Sequence, residues 1–209
     1  MTQMTTITGP VRVQPLPKLS YEEFLNWSLS HAPHAEWVDG EVYLMAAVTD
    51  EHTWITQFLI GTLTNYAEQK KIGVVKSDPF QMKLSAVRAG RQPDVMFIEK
   101  SRAHLVTRLY LDGPSNVAIE VISDNSRRID RVVKFQEYEA GGVGEYWLID
   151  PDIKAVEFYQ RSSSGLFEQV LVGSDGIYHS REMQDLWIQT DWLWSHPAQF
   201  EVFKAWKLM

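Results

Sequence analysis

The spacing of apolar and polar positions changes several times along this chain, and each change marks an element. Ser20 followed by Glu23 has the form of a capping box, and Phe24 and Leu25 open an apolar face behind it, which predicts a short helix over 21–30. From Ala35, the run A-E-W-V-D-G-E-V-Y-L-M sets β-formers on both sides of Asp39 and Gly40, a dipeptide suited to a two-residue type I′ turn, so a hairpin is expected. Trp54, Ile55, Phe58, Leu59, Leu63 and Tyr66 then recur every three or four residues, which describes an amphipathic helix over 51–70 with one face on a sheet.

The pattern returns to β character over 73–84, with a bend at Asp78 and Pro79, and a short buried strand follows at 95–98. Residues 100–113 are polar and of mixed charge, as in a surface loop or short helix. The nearly continuous apolar run at 117–122 reads as a strand covered on both faces. A helix over 126–140 ends at Gly141 and Gly142, a second buried strand occupies 146–149, and 155–161 with 166–172 form a hairpin around S-S-S-G. Trp187, Trp192, Trp194, Phe200, Phe203 and Trp206 make the last segment too aromatic for a loose end, so it should pack on the core or on a second subunit. The order of elements gives an α/β chain, α+β-like in its hairpins, with a central mixed sheet flanked by helices. One domain is expected over 18–209, behind a flexible arm over 1–17 that carries three prolines and no clear period.

Composition narrows the partners. The 209 residues suffice for a sizeable core, and the absence of cysteine excludes disulfides and thiolate metal ligands. No apolar run approaches the roughly 20 residues that span a bilayer, and 1–10 lack the basic start and apolar centre of a secretory signal. A cytoplasmic protein with no membrane partner is expected. The net charge of −7 counts against a partner held mainly by phosphate contacts, although carboxylates gathered around a cation would inflate it.

Two carboxylates interrupt apolar strands: Asp94 follows Pro93 at the start of one, and Glu120 lies inside the next. An ionised carboxylate in a sheet interior is costly to desolvate, and a hard cation on oxygen ligands is an efficient partner for two that converge. The same spacing equally suits a turn-capping Asp94 and a Glu120 paired with a surface arginine. On a wheel of about 100° per residue, Arg127, Arg131, Lys134 and Tyr138 share one side and Ile129, Val132 and Val133 the other. Lys134 therefore belongs either to a catalytic cationic stripe anchored by the apolar side, or to an ordinary solvated face with Asp130 four residues before it. His52 reads as a packing or capping residue near the apolar face of its helix, with a role near the acids left open.

The ordered set carries more than its parts. P-D at 93–94, I-E-V-I-S at 119–123, R-R-I-D-R-V-V-K-F-Q-E-Y, G-V-G-E-Y-W-L-I-D-P and the earlier A-E-W-V-D-G-E-V together resemble the putative restriction-endonuclease family within the PD-(D/E)xK nuclease superfamily, over 19–159. The resemblance implies a restriction-endonuclease-like core and Mg2+- or Mn2+-dependent hydrolysis of DNA phosphodiester bonds. It assigns Asp94 and Glu120 as the metal-binding pair, the Val121 carbonyl as a further ligand and Glu36 as an additional acidic residue, although Glu36 also reads as a hairpin-edge residue. The superfamily lysine belongs two positions after the second acid, where this chain has Ile122, so its role passes to Lys134, fourteen residues beyond Glu120. S-D-N-S at 123–126 replaces the usual serine and proline turn. On this reading Arg127 and Arg131 seat the phosphate backbone of DNA. The expected function is a metal-dependent endodeoxyribonuclease, working as a homodimer; the alternative is a catalytically silent DNA-binding or dimeric interaction protein on the same fold.

Overall fold

A computed structural model describes residues 17–123 and 126–209, and the backbone of Val11 and Arg12. Most of the arm expected over 1–17, and Asp124 and Asn125 of S-D-N-S, lie outside the described residues. The strands are β1 (Val11–Arg12), β2 (Ala35–Val38), β3 (Glu41–Leu44), β4 (Gly73–Ser77), β5 (Gln81–Leu84), β6 (Ala89–Arg91), β7 (Val95–Glu99) and β8 (Tyr110–Asp112), then β9 (Val117–Val121), β10 (Glu145–Asp150), β11 (Ala155–Arg161), β12 (Phe167–Val170), β13 (Ile177–His179) and β14 (Trp187–Gln189). They form one sheet in the order β1-β3-β2-β6-β5-β8, a second in the order β12-β11-β10-β9-β7-β4, and the hairpin β13-β14. Both large sheets are mixed: β5 and β8 pair parallel in the first, β9 and β10 in the second.

Helix α1 (Tyr21–His31) begins with the anticipated capping box: Ser20 Oγ accepts from the Glu23 N–H, and the Ser20 N–H donates to Glu23 Oε2. Asp39 and Gly40 turn the β2–β3 hairpin with φ of 48° and 91°, the left-handed pair that a type I′ turn requires. Helix α2 (Asp50–Lys70) lays Ile55, Phe58, Leu59 and Leu63 on one face of the second sheet, against Val95, Phe97, Ile119 and Val121. The alternate residues Met96, Ile98 and Ala118 pack on the other face, with Met82, Leu84 and Ala89 of the first sheet. Both faces of β7 and β9 are thus covered, which is why these strands read as unbroken apolar runs. The β character over 73–84 breaks at the anticipated bend, the cis Asp78-Pro79 bond, β4 joining the second sheet and β5 the first.

The helix over 126–140 differs from expectation in orientation. Residues Ile129–Lys134 form a widened π turn that runs into α3 (Phe135–Gly141). A π turn returns to the same face after slightly more than four residues, so Asp130, Lys134 and Tyr138 face inward, each no more than 1% exposed, while Val132 is 45% exposed. Of the apolar side anticipated as the anchor, Val132 lies outward and Ile129 and Val133 are half-buried, while the fully buried positions are Asp130, Lys134 and Tyr138.

The aromatic segment packs on the core of this same chain. Helices α4 (Trp192–Ser195) and α5 (Gln199–Ala205) close over α2, with Trp206 edge-on to Tyr66 at 5.1 Å. The β13–β14 hairpin is tied to β10 by the buried Glu145 carboxylate, which accepts from Trp147 Nε1, Tyr178 Oη, Ser180 Oγ and the N–H groups of Arg181 and Glu182.

Candidate active site

Asp94 stands one residue before β7, whose antiparallel register with β9 sets Val95 opposite Ile119. The next step along each strand sets Asp94 across from Glu120, and cross-strand partners share a face. Asp94 Oδ2 accepts the Val121 N–H at 2.7 Å and lies 3.2 Å from His52 Nε2 on the first turn of α2. Burial works to lower the His52 pKa, but the hydrogen bond and charge of Asp94 outweigh it and leave the pKa raised.

Lys134 turns into this region from the π turn. Its ammonium is 2.9 Å from Glu120 Oε2 and 3.3 Å from both Glu36 Oε1 and Asp130 Oδ1. Tyr138 Oη donates to the other oxygen of Glu120 at 2.6 Å. Register also explains Glu36: Trp37 pairs with Gly90, which places Glu36 beside Arg91, and Arg91 Nη1 donates to Glu36 Oε2 at 2.6 Å. Arg91 further grips Glu137 in a two-pronged contact at 2.6 and 2.8 Å.

Four carboxylates, Glu36, Glu120, Asp130 and Glu137, therefore share two permanent cations, Arg91 and Lys134, while Asp94 is paired with His52. Burial is the strongest influence on Lys134 and opposes its charge, yet Glu120, Glu36 and Asp130 together hold its pKa well above the ordinary value. Burial drives the Glu120 pKa well up and that of Asp130 up as well, against the pull of Lys134. Glu36 is held low, because Lys134 and Arg91 together outweigh its burial. Asp94, Glu120, Asp130 and Lys134 line a cavity of about 390 Å³ together with His52 and Ser126.

Carboxylate oxygens that converge on one cavity are the donor type a hard divalent cation takes, here beside Lys134, His52 and the apolar Met45, Ala46 and Val48. Asp130 Oδ1 is buried against the Lys134 ammonium at 3.3 Å. Among the described residues, no group of three or more His, Asp or Glu side chains is spaced to hold a metal ion, so a site here would draw on the Val121 carbonyl and water beside the two acids.

Asp94, Glu120, Lys134 and Glu36 thus come together, with Glu36 wholly buried behind Lys134 and outside the cavity lining. Arg127 and Arg131 lie apart from them: Arg127 donates to Asp150 and Asp152, and Arg131 to Glu157 and Asp150. Sequence reasoning missed Arg91 and the inward roles of Asp130 and Tyr138. The signal for the last two was present, since Asp130, Lys134 and Tyr138 recur at intervals of four.

Two mixed sheets flanked by helices, with an acid pair where β7 and β9 meet, define a restriction-endonuclease-like core. The family described as "putative restriction endonuclease" (Uma2) matches residues 21–191, and the chain belongs to it. It is 27% identical over 154 residues to an uncharacterized protein of Synechocystis sp., across 72% of this chain and 78% of that one. The fold superposes with a TM-score of 0.70 on the crystal structure of "a putative nuclease belonging to DUF820" from Anabaena variabilis, at 16% identity and covering 85% of this chain and 98% of that one. Among the described residues, no helix is long and apolar enough to cross a membrane.

Proposed function

We propose that this chain cleaves DNA phosphodiester bonds internally with the aid of Mg2+ or Mn2+. The observation that carries the proposal is the meeting of Asp94, Glu120 and Lys134, from three separate elements, at one acidic cavity. Asp94, Glu120 and the Val121 carbonyl would hold the cation. When bound, such a cation polarises a phosphoryl oxygen and lowers the pKa of a water. Lys134, kept charged by its three carboxylates, presents an ammonium to the charge that develops on the phosphoryl group. Glu36 fixes that ammonium from behind, and His52 fixes the orientation of Asp94. Arg127 and Arg131 would seat the DNA backbone by exchanging Asp150 and Glu157 for phosphate.

One observation favours a second reading more directly than the first. As the chain stands, the acids are engaged internally: Glu120 by Lys134 and Tyr138, and Asp94 by the Val121 N–H and His52. A closed cluster of this kind, in a chain of net charge −7, also describes a catalytically silent DNA-binding or dimeric interaction protein. Supercoiled plasmid separates the two. Nuclease action predicts nicking by the wild type with Mg2+ or Mn2+ and none by Asp94→Ala or Lys134→Met. DNA retention in EDTA without nicking in either metal establishes the silent reading.

A further inference from the structure

The cavity that Asp94 and Glu120 share is also lined by His34, just before β2, Asp78, just after β4, and Gln92. His34 Nδ1 lies 2.7 Å from Asp78 Oδ2, and an ionised carboxylate can only accept, so Nδ1 is the donor. Among the described residues, no other group bonds the Asp78 carboxylate and none bonds His34 Nε2. The His34 side chain is 59% exposed, so that nitrogen is open to whatever enters. Burial raises the Asp78 pKa, His34 opposes it, and the charges of Asp94 and Glu36 add to it, so the pair lies within the field of the acids. It is also tied to the strand that carries Asp94. Gln92, 3% exposed and two residues before Asp94, donates through Nε2 to the Pro33 and Pro79 carbonyls at 2.7 and 2.9 Å, the chain neighbours of His34 and Asp78. The His34 carbonyl in turn accepts the Met45 N–H at 3.2 Å. Two loops 44 residues apart are thereby held together beside the acid pair.

Cleavage of a phosphodiester leaves a sugar oxygen as an alkoxide, a poor leaving group unless it takes up a proton as the bond breaks. The other candidate donors of the cavity are committed. Lys134 has three carboxylates within 3.3 Å, His52 has Asp94 at Nε2 and the Thr56 hydroxyl at Nδ1, and Ser123 and Ser126 bond each other. His34 keeps a ring nitrogen free, and imidazole is the side chain that exchanges protons near neutral pH. We infer that His34 is a further catalytic residue, the general acid for the leaving oxygen, and that Asp78 is its positioning residue. The inference rests on the nuclease reading. As a water oxygen bonds to phosphorus and the P–O bond to the sugar breaks, the Nε2 proton of the imidazolium passes to the departing oxygen. The proton that the water gives up goes to solvent, and the ring takes one back from solvent, so one water is consumed for each bond cut. The Nδ1–H bond to Asp78 is kept in both protonation states, so the ring holds its orientation.

The test is plasmid nicking in Mn2+ by the wild type, His34→Ala and Lys134→Met. His34→Ala trims an exposed side chain, so the fold stays in place, and it should slow nicking about 100-fold, the lower end of what a general acid contributes. Added imidazole should restore the rate of His34→Ala by about tenfold or more and do nothing for Lys134→Met, whereas a loss of merely structural origin is not rescued. A second readout needs neither metal nor DNA. In EDTA, with the ring neutral, nitrogen NMR should show His34 as the Nδ1–H tautomer, and Asp78→Ala should let the Nε2–H form appear. Nicking by His34→Ala at the wild-type rate overturns the inference, as does a loss that imidazole leaves unrestored, or a neutral wild-type ring protonated at Nε2. A wild type that nicks nothing removes the nuclease reading and this role with it; a wild type that nicks and is matched by His34→Ala sinks this role alone.

Discussion

Replacing Lys134 by methionine removes the ammonium while keeping the length of the side chain, and the structure sets the consequence. Three carboxylates lie within 3.3 Å of that ammonium, and only Glu36 retains another cation, Arg91. Breaking a buried ion pair from one side costs about 3–5 kcal/mol. For a chain of this length that is a fall in melting temperature of about 6–20 °C. The loss should depend on pH in a defined direction. Burial already raises the Glu120 and Asp130 pKa values, and without Lys134 both rise further. A carboxyl whose folded pKa lies above its unfolded value binds more protons in the native state, so stability is fully present below the unfolded pKa and falls as pH rises through the folded one, by up to about 1.4 kcal/mol per pH unit for each proton. The Lys134→Met deficit should therefore be small near pH 4 and large at pH 8. Adding Glu120→Gln should recover at least about 1 kcal/mol of it. Urea unfolding of the two variants across this range, in EDTA, supplies the numbers. A deficit under about 1 kcal/mol that does not change with pH would refute the view that Lys134 neutralises the cluster.

Other consequences are open to measurement. In EDTA, His52 contributes stability that is present below its ordinary pKa and is lost as pH rises through its raised folded value; His52→Gln should flatten that part of the pH profile of urea unfolding. Glu145→Ala leaves several buried donors unsatisfied and should cost at least about 3 kcal/mol, with hydrogen exchange rising first in β13 and β14. At Gly90 an added Cβ would come within 2.3 Å of the Tyr21 ring, which is wedged against Trp37 and Tyr110, so Gly90→Ala should destabilise by about 1–3 kcal/mol by thermal unfolding.

Local pattern carried α1, α2, the β2–β3 hairpin and the strands around the acids into view, because each rests on neighbours a few residues apart: the Ser20–Glu23 box, the apolar repeat of α2, the Asp39-Gly40 turn. Asp94 and Glu120 were legible as charges inside apolar runs, and register alone brings them together. Arg91 was not. Its partners Glu36 and Glu137 lie 55 and 46 residues away, and β6, with three residues, is too short to show a period. The inward face of the helix that bears Lys134 was misjudged because Arg127 and Arg131 were read with Lys134 as one cationic stripe, whereas Asp130, four residues before Lys134, shares its buried side. The destination of Arg127 and Arg131 likewise depends on β10 and β11, which supply Asp150 and Glu157 across the fold.

The central claim is that the cavity between Asp94, Glu120 and Lys134 holds a divalent cation. Titrating the protein with Mn2+ and following the free ion by electron paramagnetic resonance tests it without reference to any substrate. The account predicts saturable uptake by the wild type that Asp94→Ala and Glu120→Gln each weaken by about tenfold or more. Absence of uptake at millimolar Mn2+, or uptake unchanged in both variants, would contradict it.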